Sequence, residues 1–346
     1  MPSSAGLFAG LLFLAGLFVA CQPAPLTRRE SYVFGTRVEI LVADARKPEA
    51  EAATAEILRE FDRLNRVYHA WRPSELTALN DALAAGRRAN VTPEMRDFLR
   101  EARELAAQGG YRFDPGIGRL IRLWGFQNDE FQARLPDPEM LANWRARPAS
   151  IAELHVDGAT AWSGNPSLAL DFGGYLKGAA LDRAAAMLKA RGIGSALINI
   201  GGNVMALGDK YGQPWKVGIQ HPREPGPMAI LALKDGEAVG TSGDYQRYFE
   251  LEGRRYSHLL DPRAGEPVRH TQAVTVLVPA SDRAGALSDA LSKPLFIAGP
   301  RHWREAARQA GITQALRVDA DGRVEVTPAL NVRLAFMGNL RVTVTR

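Results

Sequence analysis

The sequence predicts an α+β protein in which mixed or antiparallel sheets are covered by packed helices. Amphipathic helical periodicity is confined to separated segments, chiefly 49–68, 92–107, 175–191 and 283–297. From 196 to 278 strand-like runs follow one another without a helix between them. The chain shows neither an internal repeat of fixed period nor the regular strand–helix alternation of a doubly wound sheet.

Taken in order, Tyr32 to Val42 reads as a strand interrupted at Gly35-Thr36. Glu49 to Tyr68 recurs at helical spacing through Ile57, Phe61, Leu64 and Tyr68, and Pro73-Ser74-Glu75 breaks it before a short helical turn over Leu76 to Asn80. Thr92-Pro93-Glu94 is a helix start, with a hydroxyl cap and a proline where a missing N–H costs nothing; this helix runs to Ala107 and stops at Gly109-Gly110. Phe113-Asp114-Pro115-Gly116 is a turn leading to 120–124, and the polar, proline-bearing stretch 127–150 reads as a surface excursion. Strands are expected at 151–156 and 168–171. A helix follows over 175–191, with Leu176, Ala180, Leu181, Ala184 and Leu188 on one face and Gly192 closing it. Further strands are expected at 196–200, 215–219, 229–233, 245–251, 254–260 and 272–278, with Glu252-Gly253 as a hairpin turn. Helices over 283–297 and 301–310 precede short β pieces from Thr313.

Charge and cysteine usage bound the partners. The 346 residues carry 43 Lys and Arg against 38 Asp and Glu, a net charge of +5. No dense basic stripe with interleaved aromatics is present, so nucleic acid is not an expected partner. The only cysteine, Cys21, follows an apolar run from Leu7 to Ala20 that is short for a membrane span but suits a signal-peptide core. Leu17-Phe18-Val19-Ala20-Cys21 resembles a bacterial lipobox. Residues 1–20 therefore read as a lipoprotein signal peptide, Cys21 as the lipidation site, 21–30 as a tether and 31–346 as the folded domain. A remainder without thiols suits an oxidising compartment, and the expected location is the periplasmic side of a bacterial membrane, lipid-anchored.

Chemistry concentrates in glycine-bearing segments. Asp171-Phe-Gly-Gly-Tyr-Leu-Lys177-Gly178 reads as a strand end, a glycine pair and a helix with Lys177 in its first turn. Free N–H groups and a lysine there can hold phosphate oxygens, while Asp171 can accept from a ligand or help to hold a metal. The spacing is neither that of a phosphate loop nor of a dinucleotide fingerprint, so a plain strand-to-helix turn competes. Asn199-Ile-Gly201-Gly202-Asn203 reads either as a ligand-approach loop or as a tight bend. Thr241-Ser242-Gly243-Asp244 offers hydroxyls and turn amides, or is a capped turn. His258 lies close to the carboxylate of Asp261 and a glycine turn. Asp289, among Ala290, Leu291, Leu295 and Phe296, reads as a cap, a surface charge or a metal-facing carboxylate. His69, His155, His221 and His270 lack zinc spacing, and no Gly-x-Ser-x-Gly elbow supports serine hydrolysis. Together the segments point to a large phosphorylated ligand.

In their order along the chain these segments resemble the ApbE family, flavin transferases that use FAD to attach FMN to a threonine or serine of a target protein. The resemblance rests on Phe34-Gly35-Thr36, Trp71-x-Pro73-Ser74-Glu75-Leu76-x₃-Asn80, Arg112-Phe113-Asp114-Pro115 and the 171–178 and 199–203 segments. It continues through Thr241 to Tyr245, Tyr256-x-His258-x-x-Asp261-Pro-Arg-x-Gly265 and Ser288-Asp289-Ala290-Leu291-Ser292, and so covers nearly all of the chain after Cys21. It implies an ApbE-like fold with a T-fold-like core. It also implies an FAD cleft lined by Trp71 (where tyrosine is common), Arg112, Phe113, Asp114, Asp171, Lys177, Thr241 and His258.

By the same resemblance magnesium is held by the backbone carbonyl of Gly174 and by side chains at Asp289 and position 293, where threonine is common. This chain has Lys293, whose ammonium has no lone pair for a cation and repels one. Three readings follow: Ser292 substitutes, the metal binds more weakly, or Lys293 itself neutralises the diphosphate. The third is preferred, with magnesium kept as an implied cofactor. The implied reaction is attack of a target hydroxyl on the FMN-side phosphorus with loss of AMP. Lys177 and Lys293 would stabilise charge, and His258 and Asp261 would orient the ligand. Implied partners are FAD, a target flavoprotein of a membrane redox complex, and the membrane through the lipid anchor. The rival readings are an FAD pyrophosphatase giving FMN and AMP, and a catalytically weak periplasmic FAD-binding protein.

Overall fold

A nine-stranded sheet forms the frame of the molecule. Its spatial order is Thr27–Val33, Thr36–Val42, Ala196–Ile200, Asn203–Leu207, Ala238–Gly243, Thr271–Val278, Ala315–Asp319, Val324–Val326 and Val342–Val344. Every neighbouring pair is antiparallel except the last, which is parallel. This computed structural model describes residues 26–128 and 130–345; Cys21 and the expected signal peptide lie outside the described residues. The first strand already begins at Thr27, inside the stretch expected as a tether.

Period-two patterning sets the faces. Val38, Ile40 and Val42 point into one core while Arg37 and Glu39 point away. Asn203–Leu207 and Thr271–Val278 are buried along their whole length because both faces of the sheet are covered. On one face lie the helices Lys47–Val67, Leu176–Ala190 and Ala284–Gln309. On the other lies a three-stranded sheet of Leu334–Phe336, Pro227–Leu233 and Trp215–Gln220.

Several expectations are corrected. The interrupted strand at 32–42 is two strands joined by a Phe34-Gly35 turn, both residues at positive φ (57° and 69°), as a tight hairpin requires. Leu168–Asp171 is not a strand: only Ala169 bridges, to Ile117. The 127–150 excursion holds a helix, Pro138–Ala146, capped by Asp137 and burying Leu141 and Trp144. Thr241 lies not in a turn but in the sheet strand Ala238–Gly243. The two expected C-terminal helices run on as Ala284–Gln309, with a break at Gly299 (φ 71°) before Pro300.

Close glycine contacts place the long C-terminal helix. A Cβ on Gly178 would stand 2.2 Å from the Gly285 carbonyl oxygen, and one on Gly285 2.3 Å from that of Gly178. A Cβ on Gly240 would meet the Ser288 carbonyl oxygen at 2.4 Å. Only glycine allows helix to meet helix, and helix to meet strand, this closely. Asp182 locks the crossing by accepting the Gly285 and Ala286 N–H groups at 2.7 and 2.8 Å. Burial pushes its carboxyl up to about 7 against those two bonds.

Candidate active site

One arm of the site is built on Asp171, in the turn before the Leu176–Ala190 helix. Its N–H donates to the Pro115 carbonyl at 2.8 Å, and Asn80 holds the preceding Leu170 by both backbone groups, at 2.9 and 2.7 Å. The Asp171 carboxylate, 8% exposed, accepts the Gly173 N–H at 2.8 Å and the Trp71 indole N–H at 3.1 Å. Burial pushes its carboxyl up, opposed by those two bonds. The half-buried Trp71 ring is therefore oriented by the acid rather than by core packing.

Arg247, not identified from sequence, joins this arm to His258. Its guanidinium lies 5.2 Å from the Trp71 ring centre and 5.3 Å from that of Phe131, and donates to the Phe126 carbonyl at 2.8 Å. Its own carbonyl accepts the His258 N–H at 3.0 Å and faces His258 Nδ1 at 3.1 Å. A carbonyl oxygen only accepts, so Nδ1 carries the proton and Nε2 presents a lone pair. Burial, then the charge of Arg247, then Lys177 and Lys293, push the imidazole down to about 3; it is neutral at neutral pH.

The second arm centres on Asp289, 2% exposed on the C-terminal helix. Its Oδ2 accepts the Gly178 N–H at 3.0 Å, a bond that the Gly178–Gly285 crossing makes possible. Lys293, one helical turn on, donates from Nζ to Asp289 Oδ1 and to the Asp289 backbone oxygen, both at 2.7 Å. Burial alone would raise the Asp289 carboxyl, but Lys293 and Lys177 hold it below its ordinary value. Burial and the nearby Lys177 lower Lys293, with Asp289 pulling it back. Lys177 donates to the Gly173 carbonyl at 3.1 Å. The stem of Lys293 and the Phe113 ring both pack on Gly174, whose Cβ would stand 3.1 Å from Lys293 Cε and 3.0 Å from Phe113 Cε2. Lys177, His258, Asp289 and Lys293 thus share one electrostatic neighbourhood, with Phe113 beside it and Trp71 and Asp171 reached through Arg247 and Gly173.

The remaining expected residues have other surroundings. Thr241 points to the opposite face of its strand from Gly240 and Ser242, and its hydroxyl pairs with Thr275 at 2.9 Å on the neighbouring strand. Asp114 accepts from the Gly116 and Ile151 N–H groups at 2.8 Å each and from the Ser150 hydroxyl, holding two loops together. Asp261 accepts from Arg263 and Ala264 N–H groups of its own turn. Asn199 caps the tight Gly201-Gly202 hairpin at 2.9 Å, the bend reading of that motif. Arg112 is half-buried against Gly110, and its guanidinium has no hydrogen-bond or ion-pair partner among the described residues.

The residues present do not fit the magnesium that the family resemblance implies. Among the described residues no group of three or more His, Cys, Asp and Glu side chains could hold a metal ion, so the fit turns on Asp289. Its Oδ1 is taken by an ammonium and its Oδ2 by an amide N–H. Ser292 does not substitute: it is buried, donates to the Asp289 carbonyl at 2.8 Å and pairs with Ser242 at 2.7 Å.

Comparison with known proteins places this geometry. The sequence pattern of the ApbE family matches residues 34–316. A Rhodobacter capsulatus FAD:protein FMN transferase is 40% identical over 95% of this chain, which spans 62% of that relative's length. A Klebsiella pneumoniae protein of the same name is 30% identical over 89% of this chain and 90% of its own. The crystal structure of the Pseudomonas stutzeri flavinyl transferase ApbE superposes with a TM-score of 0.78 at 30% identity, covering 90% of this chain and 98% of that one. The Thermotoga maritima ApbE protein superposes with a TM-score of 0.81 at 28% identity, covering 89% and 99%.

Proposed function

Because this chain belongs to the ApbE family, we propose that it transfers FMN from FAD to a threonine or serine hydroxyl of a target protein, releasing AMP. The observation that carries the reading is an excess of positive charge: Lys293 is paired at 2.7 Å with the buried carboxylate of Asp289, and the half-buried Lys177 adds its charge to the same carboxylate beside a neutral histidine. Such a cluster is short of negative charge, and a diphosphate supplies it.

In the transfer, the target hydroxyl oxygen forms a bond to the FMN-side phosphorus while the bridging P–O bond breaks and its electron pair leaves on AMP. In this reading Lys177 and Lys293 neutralise the charge that the oxygens gain, which is the main demand of phosphoryl chemistry. Trp71, oriented by Asp171, offers a flat face for an aromatic ring of the dinucleotide. His258 Nε2 can accept a hydrogen bond from the ligand, but a group that protonates near 3 is a poor general base at pH 7. The proton of the attacking hydroxyl therefore leaves with the AMP phosphate or to water. Incubating the protein with FAD and a flavin-accepting subunit of a membrane redox complex tests the reading through flavin fluorescence that survives denaturation. A target left unlabelled while FAD is bound would refute it.

For the site of action we propose the periplasmic face of a bacterial membrane, with lipid on Cys21, on the strength of the apolar run and lipobox that precede it. Among the described residues no helix is long and apolar enough to cross a membrane. Cys21→Ser should move the protein from the membrane to the soluble periplasmic fraction; unchanged membrane association would contradict the anchor.

A further inference from the structure

Resting on the flavin-transfer reading, we propose that Lys293 is a resident cation that takes the place of a divalent metal against the diphosphate, so that this chain binds and uses FAD without any metal. An ammonium carries three N–H donors. Two of those on Lys293 are spent at 2.7 Å on the Oδ1 and backbone oxygen of Asp289. The third has no partner among the described residues, and the side chain retains 13% exposure. That exposure leaves the third donor open to the outside, and an anionic oxygen from a ligand would satisfy it with a charge-assisted bond.

The surroundings hold the ammonium rather than merely tolerate it. Asp289 precedes Lys293 by four residues, the favourable order for an acid–base pair on a helix. Gly174 lets the lysine stem pass where a Cβ would come within 3.1 to 3.3 Å of Cε and Cδ. Gly178 N–H fixes the other carboxylate oxygen, so the acid cannot turn away from the lysine. A magnesium ion asks for six close oxygen ligands in octahedral array, and here the nearest carboxylate oxygens already carry donors. Lys177 adds a second positive charge to the same region. The outcome is a fixed charge of +1 tied to the chain, in place of an exchangeable charge of +2.

The test uses the full chain and needs no target protein. FAD affinity is measured by flavin fluorescence in EDTA and in magnesium, and Mn²⁺ binding is followed by electron paramagnetic resonance with and without FAD. The wild type should bind FAD with affinities that agree within about twofold in the two buffers, and should leave Mn²⁺ free. Lys293→Thr should lose at least about tenfold in FAD affinity in EDTA, recover it in magnesium, and hold one Mn²⁺ per chain. Wild-type protein that takes up one Mn²⁺, or whose FAD affinity falls about tenfold in EDTA, overturns the proposal and leaves the transferase reading standing. So does Lys293→Thr that keeps full FAD affinity in EDTA. Wild type that binds FAD in neither buffer overturns the transferase reading itself. Circular dichroism checks that the variant folds, and the wild-type comparison decides the question without it.

Discussion

The Leu176–Ala190 helix contributes a cation to each of two charged clusters, and the clusters differ in balance. Arg183 joins Arg63, Glu60 and Glu94 in a network of two bases and two acids, with contacts of 2.5 to 2.9 Å. Charge is matched there, the groups are 18 to 40% exposed, and the network ties three helices. Lys177 joins Lys293 and Asp289, two bases to one acid, with His258 kept neutral alongside. A matched surface network is structural and worth little per pair. An unmatched one built on a buried carboxylate is a seat for something negative. Balance, rather than the number of charged residues, separates scaffold from site.

Variants can break or sharpen that contrast. Lys177→Ala should lower the FMN transfer rate about 100- to 1,000-fold, the scale of losing one stabilising group at a developing charge, with an unchanged melting temperature. Gly178→Ala pushes a Cβ to 2.2 Å from the Gly285 oxygen. It should cost about 1–3 kcal/mol in denaturant melts and weaken FAD binding as the Asp289 contact is displaced. Trp71→Ala should lower FAD affinity about tenfold in a fluorescence titration, the worth of one aromatic stack. Glu94→Gln, on the matched network, should cost about 0.5 kcal/mol or less in the same melts and leave FAD affinity untouched.

The histidine gives a pH signature with a definite sign. The unfolded imidazole takes a proton below its ordinary value of 6.5, whereas the folded one stays neutral down to about 3. Its contribution to stability is therefore complete above 6.5 and lost as pH falls through that window. His258→Gln should flatten the fall in melting temperature between pH 6.5 and 4; an unaltered pH profile would show that the imidazole is not held neutral.

Much of the site was legible from sequence because its chemistry is local. Asp171, Lys177, Asp289 and Lys293 sit beside glycines or on one helical turn, and Asp171 accepts the Gly173 N–H, Lys177 donates to the Gly173 carbonyl, Asp289 accepts the Gly178 N–H and Lys293 donates to Asp289. Arg247 was not legible: it acts through a guanidinium laid on Trp71 and a carbonyl given to His258, neither of which leaves a spacing pattern. Thr241 misled because glycines around it read as a turn. Gly240 is instead a glycine because the Ser288 backbone presses on a central strand. Asp114 looked like a ligand group, but its carboxylate is used within its own loops. The Pro138–Ala146 helix escaped notice because Leu141 and Trp144, its two buried residues, are too few to establish a period.

Comparing FAD with riboflavin tests most directly the proposal that the unmatched cluster seats the diphosphate of FAD, since riboflavin keeps the flavin ring and lacks the phosphates. Titrated into the same protein, FAD should bind at least about 100-fold more tightly than riboflavin, two charge-assisted contacts being at stake. Equal affinities would mean that the lysines face no phosphate, and would contradict the account.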